Sequence, residues 1–416
     1  MTEVYIVGSY SSSYGKFPSR THKDLTREVY IGVLADAGLA KGDDIGMAWF
    51  GNCGMWTDGQ GSIRGQVCLS PLVREGLFPE RVPIINVEGG CATASIALHG
   101  AWKDILSGQT DLSIAIGVEK TFSPAAPEKT MQIFNGGIDQ YDREEWLSYY
   151  VEAGAAAGKP FEPGPGRTIF MDTYAMQAAW HMRAHGTTER QIAIACAKNH
   201  TASIHNPKAQ YRFALTADEV LADRTVSWPL TRAMCAPIGD GAAAALVCSE
   251  AWLARQPAAV RSRAVRIAAS TMTAGKYRRL DEPGLSKLAA ERAYQAAGLT
   301  PADIDLAEVH DASSFCELYQ SEMLGFCGIG EGGRLAESGA TALGGTIPIN
   351  LSGGLVSKGH PVGATGLSMI DELVLQLRGE AGARQVTGAR NALAENGGGV
   401  MGFDEAACSV IILQRG

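Results

Sequence analysis

LTREVYIGVLADAGL (Leu25 to Leu39) and LSKLAAERAYQAAGL (Leu285 to Leu299) align without a gap, and each is followed by an acidic turn ending in Ile45 or Ile304. Both place apolar residues at helical spacing and close on Ala-Gly-Leu. The spacing therefore predicts two helices, with Gly38 and Gly298 just past their ends, where glycine adopts a left-handed backbone most easily. A short apolar strand follows each helix, Gly46 to Gly51 and Leu306 to Val309. Further on, PIINVEGG (Pro83 to Gly90) answers PINLSGG (Pro348 to Gly354), with Cys91 next in one copy and Leu355 in the other. The copies also end alike, Asp240 and Asp404 each opening an alanine-rich strand. Matched landmarks in one order are the signature of a duplicated chain.

The expected fold is therefore α/β, with two duplicated halves, residues 1–256 and 257–416, forming a layered αβαβα core. Alternating strands and helices favour mostly parallel sheets covered by helices, and pseudo-symmetry brings equivalent turns face to face. The first half is longer by a segment from Thr121 to Leu230, read as an inserted lid. It holds a breaker-rich loop, Gly158 to Gly166, an amphipathic stretch from Tyr174 to His185, and a polar stretch from Lys198 to Arg212.

Composition narrows the function. The chain has 416 residues, 46% hydrophobic and 19% charged, with a formal net charge of -8. That balance suits a globular protein and gives no general attraction to nucleic acid or an anionic membrane. Val4 to Val7 reads as a first strand, and no apolar run reaches the ~18 residues that suggest a membrane span. Nine scattered cysteines without a C-x-x-C pair point to reduced thiols in a cytoplasm and to no zinc site on this chain. There are 50 glycines, well above the usual share of roughly 7%. They gather around Asn86 to Cys91, Gly239 to Gly241, Gly344 to Gly366 and Gly397 to Gly402, where backbone must turn tightly or approach something closely.

Cys91 ends a strand and glycine turn and precedes a good helix opening, an arrangement like a nucleophile elbow. A helix terminus contributes up to roughly 2 kcal/mol to an anion, which would lower a thiol pKa from about 8.5 only to near neutrality. A basic partner is required to go further. His360, in Lys358-Gly-His-Pro, lies just beyond the turn symmetric with the Cys91 turn, and His310 sits at a strand end in Glu308-Val-His-Asp. Two of only eight histidines thus fall on turns that duplication would bring toward Cys91. Taken singly, each of the three is more often structural. Together they balance that prior.

Other residues carry weaker signals. Cys316 and Cys327, on a helix expected from Ser314 to Phe326, suit burial. Lys198, Lys208, Arg212 and Arg232 are candidates for phosphate contacts, against the commoner role of solvated cations. Trp146, Tyr149 and Tyr150 could line an acyl pocket or fill a core.

These motifs resemble the thiolase superfamily, in particular the sterol-carrier-protein-type thiolases and their bacterial relatives. Asn86 to Ser95 is similar to the nucleophile loop, Glu308 to Asp311 to the His-Asp loop, Gly359 to Gly366 to the Gly-His-Pro loop, and Asn396 to Gly399 to the last glycine-rich loop. The lid and the Pro229 to Gly241 stretch also match, so the resemblance spans nearly the whole chain. It implies a coenzyme A-dependent acyltransferase. Cys91 would attack the acyl carbonyl and His360 would take its proton. His310 and His360 would hold an enolate oxygen, and the backbone N–H groups of Cys91 and Gly397 would form a second oxyanion hole. Coenzyme A would be a substrate, with no permanently bound cofactor.

Two departures stand out. The family's second cysteine is missing, Ala312 following His310-Asp311 and Glu395 to Gly399 containing none; Glu395 is a candidate replacement acid/base. Ala236 replaces the coenzyme A-contacting serine, so no cofactor contact is assigned by motif. Relatives lacking the second cysteine resemble subunits that work with a small OB-fold, zinc-ribbon protein, which would carry any zinc. Among them are thiolases for branched, aromatic or steroid acyl groups, with a 2-benzoylsuccinyl-CoA thiolase subunit as one candidate. The resemblance implies at least a homodimer. Decarboxylative condensation through the same acyl-enzyme, and a non-catalytic subunit role, are the alternatives. Cys91 speaks against steroid retro-aldol cleavage, and the intact trio against a relic.

Overall fold

Thr21 caps the first of the duplicated helices, His22–Asp36, in a reciprocal box with Asp24, and Gly38 follows at φ 71°. The second, Leu285–Ala297, ends at Gly298 with φ 67°. These details come from a computed structural model that describes residues 3–164 and 167–415. Pro165 and Gly166 of the breaker-rich loop lie outside the described residues.

The strands are β1 (Val4–Ser11), β2 (Met47–Gly51), β3 (Ile84–Val87), β4 (Leu112–Lys120), β5 (Thr225–Ser227), β6 (Leu230–Thr231), β7 (Asp240–Ser249), β8 (Val265–Ala274), β9 (Leu306–Glu308), β10 (Asn391–Gly398) and β11 (Ala407–Arg415). β5 and β6 form a small hairpin, and the rest form one sheet in the order β3-β2-β4-β7-β1-β8-β11-β10-β9. The order is a mirror about the β1/β8 seam. β1, β7, β4 and β2 answer β8, β11, β10 and β9, and the Ala307↔Ile349 bridge stands where β3 stands in the first half. The seam is narrow, pairing only Tyr5↔Arg266 and Ile6↔Val265.

The sheet is mixed, not mostly parallel as alternation suggested. β2 is parallel to β3 and β4, and β9 to β10, whereas β7 and β11 run antiparallel to both neighbours. The closing strand of each half inserts between two earlier strands, a return that local periodicity does not encode. Its opening aspartate then ties the preceding loops. Asp240 accepts from the N–H groups of Phe17 and Phe122, and Asp404 from those of Lys276 and Leu285.

Helices Thr93–Leu106 and Thr365–Arg378 follow the two glycine turns and pack against each other and against strands of both halves. His22–Asp36 and Leu285–Ala297 cover β1/β7 and β8/β11 respectively. With helices on both faces, β4 and β7 are buried along nearly their whole length. Between β4 and β7 run helices Pro127–Asn135, Arg143–Ala157, Ile169–His185, Glu189–Ser203 and Ala217–Ala222. All of them except Arg143–Ala157 contribute side chains to the cavities described next. No helix among the described residues is long and apolar enough to cross a membrane.

Candidate active site

The second glycine of each duplicated turn takes the same left-handed φ, 56° at Gly90 and 58° at Gly354, whereas the first differs, Gly89 being extended and Gly353 at φ 109°. A side chain on Gly90 would collide with the backbone of Gly399, so glycine is what lets the two loops meet. One further residue brings Cys91 to the mouth of helix Thr93–Leu106, buried with 8% of its surface exposed.

Cys91 Sγ lies 3.1 Å from His360 Nε2. On the far side of that ring, His360 Nδ1 is 2.7 Å from Thr365 Oγ1, which gives its own proton to the Pro361 carbonyl. Thr365 must therefore accept from Nδ1–H, and the Nε2 lone pair faces the thiol. The His310 ring meets His360 edge to face at 5.2 Å. Its buried Nε2 has no hydrogen-bond partner, a costly state unless a ligand completes it. Sequence thus named three residues that the fold brings together, the Cys91 sulfur and one nitrogen of each histidine all lying within 4.8 Å. Those are also donor types that metals accept, and among the described residues this is the one cluster of that kind.

Burial governs the charge states. It pushes the Cys91 thiol up to about 12, outweighing backbone hydrogen bonding, with the Glu119 carboxylate raising it further. The helix terminus therefore does not bring the thiol near neutrality, contrary to expectation. Burial also holds His310 down to about 4 and His360 well below the usual histidine range, neighbouring positive groups adding to the second effect. The resting pair is a neutral thiol against a neutral imidazole.

Several expected roles shift. Gly397 is locked into the ladder opposite Cys408, and the last-loop N–H turned toward the Cys91 sulfur belongs to Gly399. Glu395 does not reach the thiol. Its Oε2 accepts from the His310 backbone N–H at 3.0 Å, and its Oε1 faces Cys408. Burial and the neighbouring Glu405 raise its pKa to about 8. Lys198 is tied to Glu317 and the Ile349 carbonyl, Lys208 to Asp371, and Arg212 to the Ile204 carbonyl. Of the four cations proposed for phosphates, Arg232 alone lines the cavity beside Cys91. Trp146, Tyr149 and Tyr150 pack with Phe161 and Phe403 as core. Cys316 is buried on helix Ser314–Met323, whereas half-buried Cys327 lies beyond its end.

Sequence reading missed Thr365, although its place five residues after His360 in the Gly-His-Pro loop was the available signal. It also missed Glu119, at the end of β4, which accepts from the N–H groups of Cys53, Gly54 and Gly363 and so ties the Gly-His-Pro loop to the first half. Its only signal was a lone acid ending an apolar strand.

Two cavities meet at Cys91. One, of about 800 Å³, runs from Cys91 and His360 past Tyr174 and Ala236 to Phe213 and Arg232. The other, of about 580 Å³, lies between Trp56, Ile138 and Met401. Phe134 and Phe170 border both.

Comparison with known proteins fits this geometry. Residues 4–148 match the model of the thiolase N-terminal domain, and residues 280–415 that of a thiolase C-terminal domain-like family. The chain belongs to the thiolase family. It is 36% identical to an acetyl-CoA acetyltransferase of Methanothermobacter thermautotrophicus, over 97% of this chain and 98% of that one. It is 29% identical to the benzoylsuccinyl-CoA thiolase subunit BbsB of Thauera aromatica, over 92% and 91%. A solved Ltp2-ChsH2(DUF35) aldolase has the same fold, with a TM-score of 0.77, 22% identity and coverage of 99% and 98%. The chain is thus a thiolase-family acyl-CoA acyltransferase.

Proposed function

We propose that the chain makes or breaks a carbon-carbon bond next to a coenzyme A thioester through an acyl-enzyme on Cys91. The observation that carries this is the 3.1 Å contact between the Cys91 thiol and a His360 nitrogen whose lone pair is fixed toward it by Thr365. As sulfur attacks the acyl carbonyl, His360 takes the thiol proton, so no buried thiolate forms beforehand. The oxyanion meets the backbone N–H groups of Cys91 and Gly399, and removing one such donor typically costs ~10²–10³ in rate. When the carbon-carbon bond breaks, charge moves to the enolate oxygen of the departing ester, where His310 and His360 supply donors. The proton held on His360 is then available to the enolate carbon, so a second cysteine is not required. Free coenzyme A finally discharges the acyl group.

The larger cavity suits the coenzyme A arm. Arg167 and Arg232 stand on its wall, and so does Ala236, at the position where relatives place a coenzyme A contact. Likeness to the benzoylsuccinyl-CoA thiolase subunit BbsB supports an aromatic acyl group, and a branched alternative, a catabolic setting and a cytoplasmic location are part of the same proposal. The halves 1–256 and 257–416, with the lid at 121–230, are the proposed evolutionary units. The edge strand β3 with exposed Ile85, Trp56 and Ile63 supports a homodimer. A partner protein is supported by the fold neighbour solved with ChsH2(DUF35), and a zinc-ribbon on that partner is what the resemblance to relatives lacking the second cysteine implies.

Intact-mass spectrometry with a panel of acyl- and β-ketoacyl-CoA esters tests the reading. An adduct on the wild type, absent from Cys91→Ser and removed by free coenzyme A, is expected. Absence of any adduct, with and without copurified partner proteins, would sink it.

A further inference from the structure

Acyl transfer from a thioester needs room for two arms at one sulfur, the thiol carrier and the acyl group. Cys91 has two cavities, and among the described residues it is one of three that border both. The others are Phe134 and Phe170, whose rings meet edge to face at 6.4 Å and stand as a partition between the branches. If the larger branch takes coenzyme A, the smaller one has no role in that reading, yet an acetyl group would leave most of its 580 Å³ empty. Pockets for drug-sized ligands span roughly 300–1,000 Å³.

The wall chemistry narrows the occupant. Near Cys91 it is apolar, built from Ile133, Ile138, Val362, Val400 and Met401 with Trp56 beyond them. Its charged members among the described residues are two carboxylates, Glu88 and Asp139. Arg64 reaches Glu88 at 2.5 Å, but its guanidinium is buried against the Asn52 carbonyl and is not on the wall. An anionic acyl group would find no free cation on this wall, because Arg64 is already held by Glu88 and Asn52 and the other charged side chain, Asp139, carries the same sign as the acyl group.

We propose that the smaller branch is the acyl subsite and that it selects bulky, uncharged acyl groups, aromatic or branched, over acidic acyl groups of similar size. This rests on the acyl-enzyme reading above and adds the direction of the two arms. Phe134 and Phe170 keep them apart, so a filled acyl branch does not obstruct coenzyme A.

The experiment measures acylation of Cys91 by intact mass with three esters, acetyl-CoA, benzoyl-CoA and glutaryl-CoA. It uses the wild type, two variants that fill the acyl branch (Met401→Trp and Ile133→Phe), and one that fills the other branch (Ala233→Trp). On the wild type, benzoyl transfer should outpace glutaryl transfer by about ten-fold, since the aromatic ring buries apolar surface on this wall while the glutaryl carboxylate loses water and gains no cation. Each filling variant should cut the benzoyl-to-acetyl rate ratio by about ten-fold or more, while its acetyl adduct reports that the site is folded. Ala233→Trp should slow all three esters without moving the ratio.

A ratio unchanged in both acyl-branch variants, or one that falls in Ala233→Trp instead, would overturn the assignment of the arms. Equal glutaryl and benzoyl rates on the wild type would overturn the charge selection. No adduct from any ester on the wild type would instead remove the acyl-enzyme reading itself, so the two failures are distinguishable.

Discussion

The two glycine turns share a left-handed second glycine and part company at the residues that follow. In the first half, Gly90 leads into Cys91 and helix Thr93–Leu106 begins two residues later. In the second, Gly354 leads through a π-helical turn, Gly354–Lys358, and the central helix waits until Thr365. The extra residues form the Gly-His-Pro loop. They carry His360 across the seam to the thiol and leave Leu355, which follows the glycines as Cys91 does, fully buried in apolar packing with Ala312 and Met369. Duplication supplied two equivalent strand-end positions, and the longer second turn is what places His360 3.1 Å from Cys91.

The sharpest way to break that contrast is to truncate both positions. Cys91→Ala should abolish acyl-enzyme formation, with a rate loss beyond about 10³, and leave the melting temperature within a few degrees. Leu355→Ala should do the opposite. It opens a cavity in the core, with a loss of about 2–5 kcal/mol in stability, while Cys91 still acylates below the lowered melting transition. Mass spectrometry and calorimetry on the two variants decide the matter. Comparable activity losses would mean that the second turn is more than a structural echo.

Thr365 sharpens the contrast further, because the first turn has no counterpart to its grip on His360. Replacing it with valine keeps the shape and removes the acceptor for Nδ1–H, so the ring can turn its proton toward the sulfur. Thr365→Val should slow acylation by about ten-fold or more. Wild-type Cys91, its thiol held up by burial, should react slowly and almost independently of pH with iodoacetamide between pH 6 and 8. A steep rise in that window would show a thiolate already present and remove the need for a base.

The duplication was legible because it is written in local signals, glycine positions, strand-end aspartates and helical periodicity. For the same reason Cys91, His310 and His360 could be found, since each stands on a repeat landmark. What stayed hidden depends on three-dimensional closure. Sheet direction was misjudged because β7 and β11, each the last strand of its half, insert between two strands already laid down. The last-loop N–H beside the Cys91 sulfur lies two residues later than expected, because only the fold shows that Gly397 belongs to the ladder and Gly399 to the loop. Glu395 looked like an acid/base because its loop is near the nucleophile. Its side chain, however, points into the sheet, where alternation along β10 sends it away from Cys91.

The smallest effect concerns the two buried carboxylates that brace these loops. Glu119, on β4, holds the loop after β2, and Glu395, on β10, holds the loop after β9. Burial raises both, Glu119 to about 7 and Glu395 to about 8. Raised in the folded state and ordinary in the unfolded one, each binds more protons when folded between its unfolded value, near 4.5, and its folded value. Stability is therefore full below that window and falls as pH rises through it. Glu119 receives several N–H groups from both halves, including Gly363, whereas Glu395 receives the single N–H of His310 beside Cys408 and Glu405. Neutralising the acid should thus help at Glu395 and harm at Glu119. Glu395→Gln is expected to shrink the drop in melting temperature between pH 5 and pH 9, with the gain confined to the alkaline side. Glu119→Gln, which puts an amide donor among backbone donors, should lower the melting temperature at both pH values and slow acylation through the displaced Gly-His-Pro loop. Melting scans of both variants at the two pH values settle it; a gain for Glu119→Gln would show that its hydrogen bonds do not offset the burial of its charge.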